Sequence, residues 1–442
     1  MLNLMTIGTS VLLVAAVALI LLVQRELAPQ GGLSLRGKWL LTAALGAGIT
    51  VMALKLLLIA LFVSMPETTL SSWLYRQPGK ATGPDWQKVT APDGPRVVKT
   101  SGYLWQALPL DPPVDQDDPV VARKVALGEQ LFNETSLSLD RTLSCSSCHD
   151  LLQSAGTDGR RTSTGIAAKV GPRNAPSLWN TAYLSVLFWD GRAPTLEAQA
   201  KGPMTNPLEM GMPSYSLVER RVREIPAYQQ AFADIYGPQV PITIDLIVDT
   251  IATYERTLVT PDTAYDRFVR GDRDALTDQQ LRGMALFQET GCVICHAGPM
   301  FTVAGTSLET DTPFRRFPAI KTPYAERFDL LSDPGRLDNV GTRGVWRVPS
   351  LRNVALTAPY FHNGSVDSLE EAVRIMSSVQ LNRPLPEAAD IGRTVNWSHR
   401  DKTLTSTIRK PLSEGDVRDI VAFLKGLSSD RLLTSYRNTS RE

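Results

Sequence analysis

The feature that most constrains this chain is a pair of pentapeptides with the same pattern, CSSCH (145–149) and CVICH (292–296). They hold all four cysteines of the 442 residues, so none remains for a separate disulfide framework. The spacing places both thiols on one side of a helical turn, where they can form thioethers with the vinyl groups of a haem, and the next histidine can ligate the iron. A redox dithiol needs no such histidine, and a four-thiolate zinc site would leave both histidines unused. The pattern predicts two covalently bound haem c groups, held by Cys145, Cys148 and His149 and by Cys292, Cys295 and His296.

The remaining histidines limit what can bind the far side of the first iron. Beyond the pentapeptides the chain has only His362 and His399, and we expect His399 to be a surface residue. No histidine lies between residues 150 and 295, so none that follows the first pentapeptide within its own domain is available. The alternatives are an open position, which can bind peroxide, or a methionine of the loop GPMTNPLEMGMP, that is Met204, Met210 or Met212.

Two apolar runs near the N-terminus predict a membrane anchor. Residues 4–23 and 39–63 are each long enough to cross a bilayer as a helix. The loop between them carries three basic residues, so the positive-inside rule places it in the cytoplasm. A signal peptide is the alternative for the first run, but no basic residue precedes it. We expect a two-helix transmembrane hairpin over residues 1–66 and an inner-membrane location, with the catalytic domains in the periplasm.

Beyond residue 66, the chain divides into a linker and two similar parts. Residues 67–114 are rich in turn-forming residues and indicate a periplasmic linker or arm. GEQLF precedes the first pentapeptide and GMALF precedes the second, each on a helical pattern. We expect a mostly α-helical fold with two cytochrome c-like haem domains in tandem, an N-terminal one over 115–265 and a C-terminal one over 266–430, followed by a tail over 431–442.

Several helix boundaries follow from proline and capping residues. Pro119 suits the first turn of a helix over 119–132, and Pro226 should interrupt the amphipathic segment 216–237. Ser368 with Glu371 predicts a capping box at the start of the helix 368–379. A further capped helix is predicted over 413–427. Charges nearly balance, with 46 basic and 45 acidic residues, which indicates no nucleic-acid partner.

Four longer segments resemble one family of bacterial enzymes. They are LGEQLFNETSLSLDRTLSCSSCHDL, GPRNAPSLWN, FWDGRAPTLEAQAKGPMTNPLEM and RVPSLRNVALTAPYFHNGSVDSLEEAVRIM. Together they closely resemble the bacterial di-haem cytochrome c peroxidases, a family that includes the enzymes related to the methylamine dehydrogenase maturase. The resemblance covers roughly residues 115–430 and excludes the apolar runs. It implies that the N-terminal haem is the peroxidatic one and that the C-terminal haem relays electrons.

The resemblance assigns three residues to catalysis. Glu209 falls on the family's catalytic acid/base, Gln199 on its distal amide and Trp189 on the tryptophan between the haems. One carboxylate can move a proton between the two peroxide oxygens, and an amide can orient peroxide but cannot titrate. Without the resemblance, Glu209 would be interpreted as a solvated charge and Trp189 as a core residue.

The same resemblance assigns ligands around the second haem. Met376 falls on the axial methionine of the relay haem, where a thioether raises the reduction potential, although a core methionine is the alternative. His362 falls on a histidine that orders a propionate or the domain interface. A structural calcium between the domains is also implied, bound by the Asn174 side chain and the carbonyls of Thr357 and Pro359.

One position departs from the family pattern. Many members keep a histidine on the resting peroxidatic iron, and Ile166 occupies that position here. Isoleucine cannot ligate iron, so we expect the first haem to be five-coordinate or water-bound even when it is fully oxidised.

These residues predict a membrane-anchored periplasmic peroxidase that reduces hydrogen peroxide to water. Its electrons would come from a cytochrome c, a cupredoxin or a membrane quinol, and a homodimer is left open. One alternative is a maturase-like oxidase that modifies a protein or small substrate, which Ile166 favours and Met376 disfavours. The other is a non-enzymatic electron-transfer cytochrome, which Glu209 and Gln199 disfavour.

Overall fold

The described chain folds mainly into α-helices. The structure is a computed structural model, and the residues that it describes belong to one compact unit. It describes residues 88–91, 94–97, 103, 105–308, 313–319, 321–337, 343–380 and 412–439.

The expected membrane hairpin is not found among these described residues. No helix in the described ranges is both long and apolar enough to cross a membrane. The longest of them, Pro119–Phe132, has 14 residues, whereas a span needs about 20. The apolar runs at 4–23 and 39–63, as well as His399, lie outside the described residues. The predicted fold class with its transmembrane hairpin and the inner-membrane location are therefore corrected: the described fold is mostly helical, with no membrane-spanning helix in it.

Five α-helices form the first half of the described fold. The first begins where it is predicted, because the Asp118 side chain accepts a hydrogen bond from the Val120 N–H at 2.7 Å and Pro119 occupies the first turn. Pro226 interrupts the segment 216–237 as expected, since it lacks the N–H that would continue a helix. The helices are α1 (Pro119–Phe132), α2 (Leu196–Thr205), α3 (Tyr215–Arg223), α4 (Pro226–Tyr236) and α5 (Ile244–Glu255).

Six further helices form the second half. Ser368 caps its helix by accepting from the Glu371 N–H at 3.1 Å, but the Glu371 carboxylate pairs with Arg374 and does not complete the predicted capping box. At the other predicted cap, Ser413 and Asp416 form the full box. The helices are α6 (Ala264–Val269), α7 (Asp278–Glu289), α8 (Pro323–Arg327), α9 (Leu369–Ile375), α10 (Glu414–Lys425) and α11 (Asp430–Thr439), and α9 continues into a π-helical turn, Met376–Gln380.

Strands are few and short. β1 (Lys88–Ala91) pairs antiparallel with β2 (Gly94–Val97), and β3 (Phe314–Arg316) pairs antiparallel with β4 (Val345–Arg347). In the second pair, Arg315 lies opposite Trp346 and Phe314 lies opposite Arg347. Short 3₁₀ turns complete the described secondary structure: Thr135–Leu137, Cys145–Ser147, Ile166–Ala168, Thr181–Tyr183, Cys292–Ile294 and Val354–Leu356.

The GEQLF and GMALF repeat marks the same helix crossing in both halves. A Cβ atom at Gly128 of α1 would collide with the Thr250 carbonyl of α5 and lie 2.7 Å from the Cβ atom of Tyr254. A Cβ atom at Gly283 of α7 would likewise collide with a carbonyl of α10 and lie 2.9 Å from the Cβ atom of Phe423. Each glycine therefore lets two helix backbones come into direct contact.

Two segments tie the halves together. Trp105, ahead of α1, packs in the core of the second half among Tyr265, Phe301 and Phe423. Leu432 of α11 is fully buried in the core of the first half. The chain thus crosses between the two cores at both ends of the described region.

Alanine at either crossing glycine should destabilise the protein. The added methyl group meets a backbone carbonyl that cannot rotate away, so Gly128→Ala and Gly283→Ala should each lower the free energy of unfolding by about 1–3 kcal/mol. Thermal and denaturant unfolding followed by circular dichroism measure this. Gly415→Ala is the matched control, because its added Cβ would have only an ordinary contact, 3.5 Å from the Ser413 Oγ atom. Wild-type stability in both variants would contradict the proposed packing constraint.

Candidate active site

The first pentapeptide forms a tight 3₁₀ turn that aims its three functional side chains at one cavity. The N–H groups of Cys148 and His149 both donate to the Cys145 carbonyl, at 3.2 and 3.1 Å. The turn therefore places all three residues on the wall of a cavity of about 300 Å³. This cavity is called the first cavity.

The second pentapeptide repeats the arrangement. The N–H groups of Cys295 and His296 donate to the Cys292 carbonyl at 3.2 and 2.9 Å, and the three side chains line a second cavity of about 250 Å³. Met376, on the π-helical turn that follows α9, lines the same second cavity. A π-helical turn widens the helix locally and is common at functional positions.

Both pentapeptide histidines have a defined tautomer. The Nδ1 atom of His149 lies 2.9 Å from the Gly156 carbonyl oxygen, and that of His296 lies 3.1 Å from the Phe301 carbonyl oxygen. Because a carbonyl only accepts, Nδ1 carries the proton in each ring and Nε2 keeps its lone pair for a metal. Burial lowers the pKa of both histidines, that of His296 to about 4, which favours the neutral ligating form.

The first cavity brings Gln199 and Glu209 together with His149. Gln199 lies on α2, and Glu209 lies in the loop that follows this helix. The Asn206 side chain donates to Glu209 Oε1 at 2.6 Å and so fixes one carboxyl oxygen. Burial raises the pKa of Glu209, while Arg192 and the Asn206 hydrogen bond oppose the shift. The carboxyl group therefore keeps a proton to higher pH than an exposed glutamate would.

Ile166 is buried but does not line the first cavity. Its N–H donates to the Glu209 carbonyl at 2.9 Å, and its side chain packs against Gly211, where a Cβ atom would collide with it. Of the methionines considered from sequence, Met204 and Met212 are buried in the core of the first half, and Met210 lines the cavity.

Trp189 lies between the cavities and lines both of them. Its indole N–H donates to the Asn174 carbonyl at 2.9 Å, which fixes the ring. His362 meets it edge-on, with ring centroids 6.5 Å apart, and stacks on Trp346 at 4.2 Å. The His362 Nε2 atom is buried without a hydrogen-bond partner among the described residues, and burial lowers the pKa of this histidine to about 4.

The predicted calcium ligands line the second cavity. Asn174, Thr357 and Pro359 all contribute to its wall. The Asn174 side-chain N–H donates to the Arg160 carbonyl at 2.8 Å, which leaves its amide oxygen as the acceptor. Within the described ranges, no group of three or more His, Cys, Asp or Glu side chains is placed to hold a metal ion.

Two charged residues of the cavities are not evident from the sequence. Arg347 on β4 lines both cavities, is 4% exposed, and has no carboxylate within salt-bridge distance among the described residues. Burial lowers its pKa to about 10, so it remains a cation at neutral pH. Glu255, the last residue of α5, lines the first cavity at 3% exposure, and burial raises its pKa to about 8. The one sequence signal for Glu255 is a carboxylate among the apolar positions of a helix.

The residues present fit a haem in each cavity. Two thiols and an oriented imidazole supply the attachment points in both. Arg347 provides a buried positive charge, which can pair with an anionic propionate because a haem carries two of them. The unpartnered atoms of His362 and Glu255 offer further polar contacts to a group bound there.

Comparisons with known proteins agree with this chemistry. The family model for di-haem cytochrome c peroxidase matches residues 122–274. Cytochrome c peroxidase Ccp of Escherichia coli (strain K12) is 40% identical over 290 residues, which cover 65% of this chain and 60% of that protein. Cytochrome c551 peroxidase of Nitrosomonas europaea is 37% identical over 335 residues, which cover 76% of this chain and 88% of that protein.

A solved structure shares the fold. The crystal structure of a MauG-like protein associated with microbial copper homeostasis has a TM-score of 0.59 and 30% sequence identity, covering 74% of this chain and 97% of that chain. The chain spans less than two thirds of the Escherichia coli relative but most of the Nitrosomonas europaea one. It belongs to the di-haem cytochrome c peroxidase family, whose members are oxidoreductases and whose chemistry implies two haem c groups.

Proposed function

We propose that this protein reduces hydrogen peroxide to water in the first cavity, with electrons that arrive through the second. The observation that carries the proposal is that His149, Glu209 and Gln199 line one cavity while Trp189 lines both. When bound, the haem iron supplies the binding position and the electrons for cleavage of the O–O bond. The residues around it supply proton transfer, orientation and the route between the cavities.

Glu209 is the proton-transfer residue in this proposal. Reduction of one peroxide to two waters consumes two protons, and a carboxyl group in the cavity can take a proton from one oxygen and return it to the other. Burial raises the pKa of Glu209, which suits this role because the carboxyl group keeps its proton to higher pH than an exposed glutamate would. Asn206 holds Oε1, which leaves Oε2 for the substrate.

Gln199 and Trp189 have supporting roles. The Gln199 amide donates and accepts hydrogen bonds without titrating, which suits it to orient peroxide. The Trp189 ring is fixed by its hydrogen bond to the Asn174 carbonyl and faces both cavities, which suits it to carry electrons between them.

Electrons enter at the second cavity in this proposal. Met376 lies on its wall and would be a further protein ligand for the second haem besides His296, and a thioether ligand raises the reduction potential. The names of the relatives support a cytochrome c as the donor, with a cupredoxin as the alternative. The quinol donor depended on the predicted anchor and is not carried further, and a homodimer stays a prediction.

A maturase-like oxidase is the second candidate. The likeness to a MauG-like protein and Ile166 favour it. Met376 disfavours it, because the maturase relatives that the sequence resembles have a tyrosine on the second iron. The electron-transfer cytochrome is disfavoured by the family assignment and by the joint position of Glu209 and Gln199.

Removal of the Glu209 carboxyl should abolish most peroxide turnover. Glu209→Gln keeps an acceptor for Asn206 but cannot move a proton, so kcat should fall by about 10²- to 10⁴-fold while both haems are retained. Stopped-flow and steady-state assays with reduced cytochrome c measure this. Glu224→Gln, at the exposed end of α3, is the control and should keep wild-type turnover. Full activity in Glu209→Gln would refute the assignment.

The oxidised protein should show a high-spin signal from the first haem. Ile166 has no atom that can ligate iron, and Met210 is the one of the three candidate methionines that lines the first cavity. We propose that Met210 does not ligate the iron either. Electron paramagnetic resonance of the oxidised protein checks this, and Met210→Leu should leave the spectrum unchanged. A wild-type spectrum with low-spin signals only would contradict an open position.

Elemental analysis should count the implied metals. Two irons per chain are expected, and Cys145→Ala combined with Cys148→Ala should leave one covalently bound haem, measured as the pyridine haemochrome.

One calcium per chain is also expected. It would be bound by oxygen atoms of Asn174, Thr357 and Pro359, because all three residues offer oxygen atoms on loops. Protein without calcium before any chelator treatment would remove the calcium proposal and leave the haem count unaffected.

A further inference from the structure

Glu255 is a buried carboxyl group that the proposed peroxide chemistry does not use. It is the last residue of α5, is 3% exposed and lines the first cavity together with Cys145 and His149. Its Oε2 atom is buried and has no hydrogen-bond partner among the described residues. Burying a carboxyl oxygen without a partner is unfavourable, so a purely structural role would be better served by an apolar side chain.

The second half has such an apolar side chain at the equivalent position. The glycine crossings pair Tyr254 of α5 with Phe423 of α10, because each lies against the glycine of the opposing helix. One residue further on, Glu255 therefore corresponds to Leu424, which is buried and lines the second cavity. The same place in the fold is thus acidic beside one cavity and aliphatic beside the other.

The groups around Glu255 leave its charge uncompensated. Arg256 acts on it electrostatically, but the Arg256 guanidinium forms an ion pair with Glu197 of α2. The facing Cys145 sulfur adds no positive charge, and the adjacent Tyr254 hydroxyl keeps its proton, because burial raises its pKa to about 12. A positive charge in the first cavity is therefore the partner that would favour the ionised form of Glu255.

The iron of an oxidised haem would supply this positive charge, and uptake of one electron by the haem would lower the charge by one unit. We propose that Glu255 takes up one proton when the first haem takes up one electron. The haem gains one electron from a reductant, which is the electrode in the test below and is oxidised by one electron. One O–H bond forms at Glu255 with a proton taken from the solvent. The inference rests on the proposed function only in placing a haem at His149.

Spectroelectrochemical titration of the holoprotein at a series of pH values around 8 tests this coupling. In the wild type, the midpoint potential of the first haem should fall as the pH rises, because loss of the proton leaves a carboxylate that stabilises the oxidised iron. In Glu255→Gln and in Glu255→Leu, which copies the second site, that slope should be lost. The midpoint potential of the second haem should not change in either variant.

Glu197→Gln is the matched control, since it removes a neighbouring carboxylate that does not line the cavity. The substitution removes the ion-pair partner of Arg256, which can then act more strongly on Glu255. The pH dependence of the midpoint potential should therefore persist and move to lower pH.

Infrared difference spectra of the wild type should show a carboxylic-acid C=O band that appears on reduction. This measurement tests the proposal even if a variant fails to bind haem. The same slope in wild type and Glu255→Gln, or no such band, would overturn it. Peroxide turnover is measured separately, so a protein with coupled protonation but no turnover would refute only the proposed function.

Discussion

The close crossing of two helices over a glycine is the contact on which both cavities depend. It occurs once at Gly128 between α1 and α5 and again at Gly283 between α7 and α10. Helices of 12 to 14 residues are marginal on their own, so their stability comes from this packing. With the two backbones in contact, the residue that follows the contact lines a cavity in each half: Glu255 follows Tyr254 in the first half, and Leu424 follows Phe423 in the second.

Between the two cavities lies a layer of aromatic and charged side chains that come from distant parts of the chain. Trp189 and His362 meet edge-on, Trp346 stacks on His362, and the Arg173 guanidinium lies 5.0 Å from the Trp346 ring. Arg173 is itself held by carboxylates of Asp190 and Asp333, at 2.7 Å each. This layer joins the two halves by specific stacking and ion pairs, which keeps Trp189 fixed where it faces both cavities.

The buried charged residues that the structure describes differ in their partners. Asp266 and Arg352 form a bidentate pair at 2.7 and 2.8 Å, and both are almost completely buried. Loss of either partner in such a pair costs about 3–5 kcal/mol, since the other charge is left in a low-dielectric core. Arg347 has no ion-pair partner among the described residues, although its Nε–H donates to the Phe188 carbonyl at 2.9 Å. Glu255 Oε2 has no hydrogen-bond partner there, and both residues line a cavity. The Asp266–Arg352 pair thus stabilises the fold, whereas Arg347 and Glu255 present charged groups to the cavities without a partner of opposite charge in the described part of the chain.

Local sequence determined the parts of this protein that depend on neighbouring residues. The cysteines at i and i+3 with the adjacent histidine define a local turn. Helix ends are likewise set by local residues, because a capping hydrogen bond or a missing backbone N–H affects only residues within about four positions: Asp118, Pro119, Pro226 and Ser413. The tertiary structure alone decided that Ile166 faces Gly211, that Arg347 borders both cavities, and that Glu255 and Leu424 are equivalent. Those facts depend on contacts between residues that are far apart in the chain, and a side chain's burial and charge environment are properties of the packed whole.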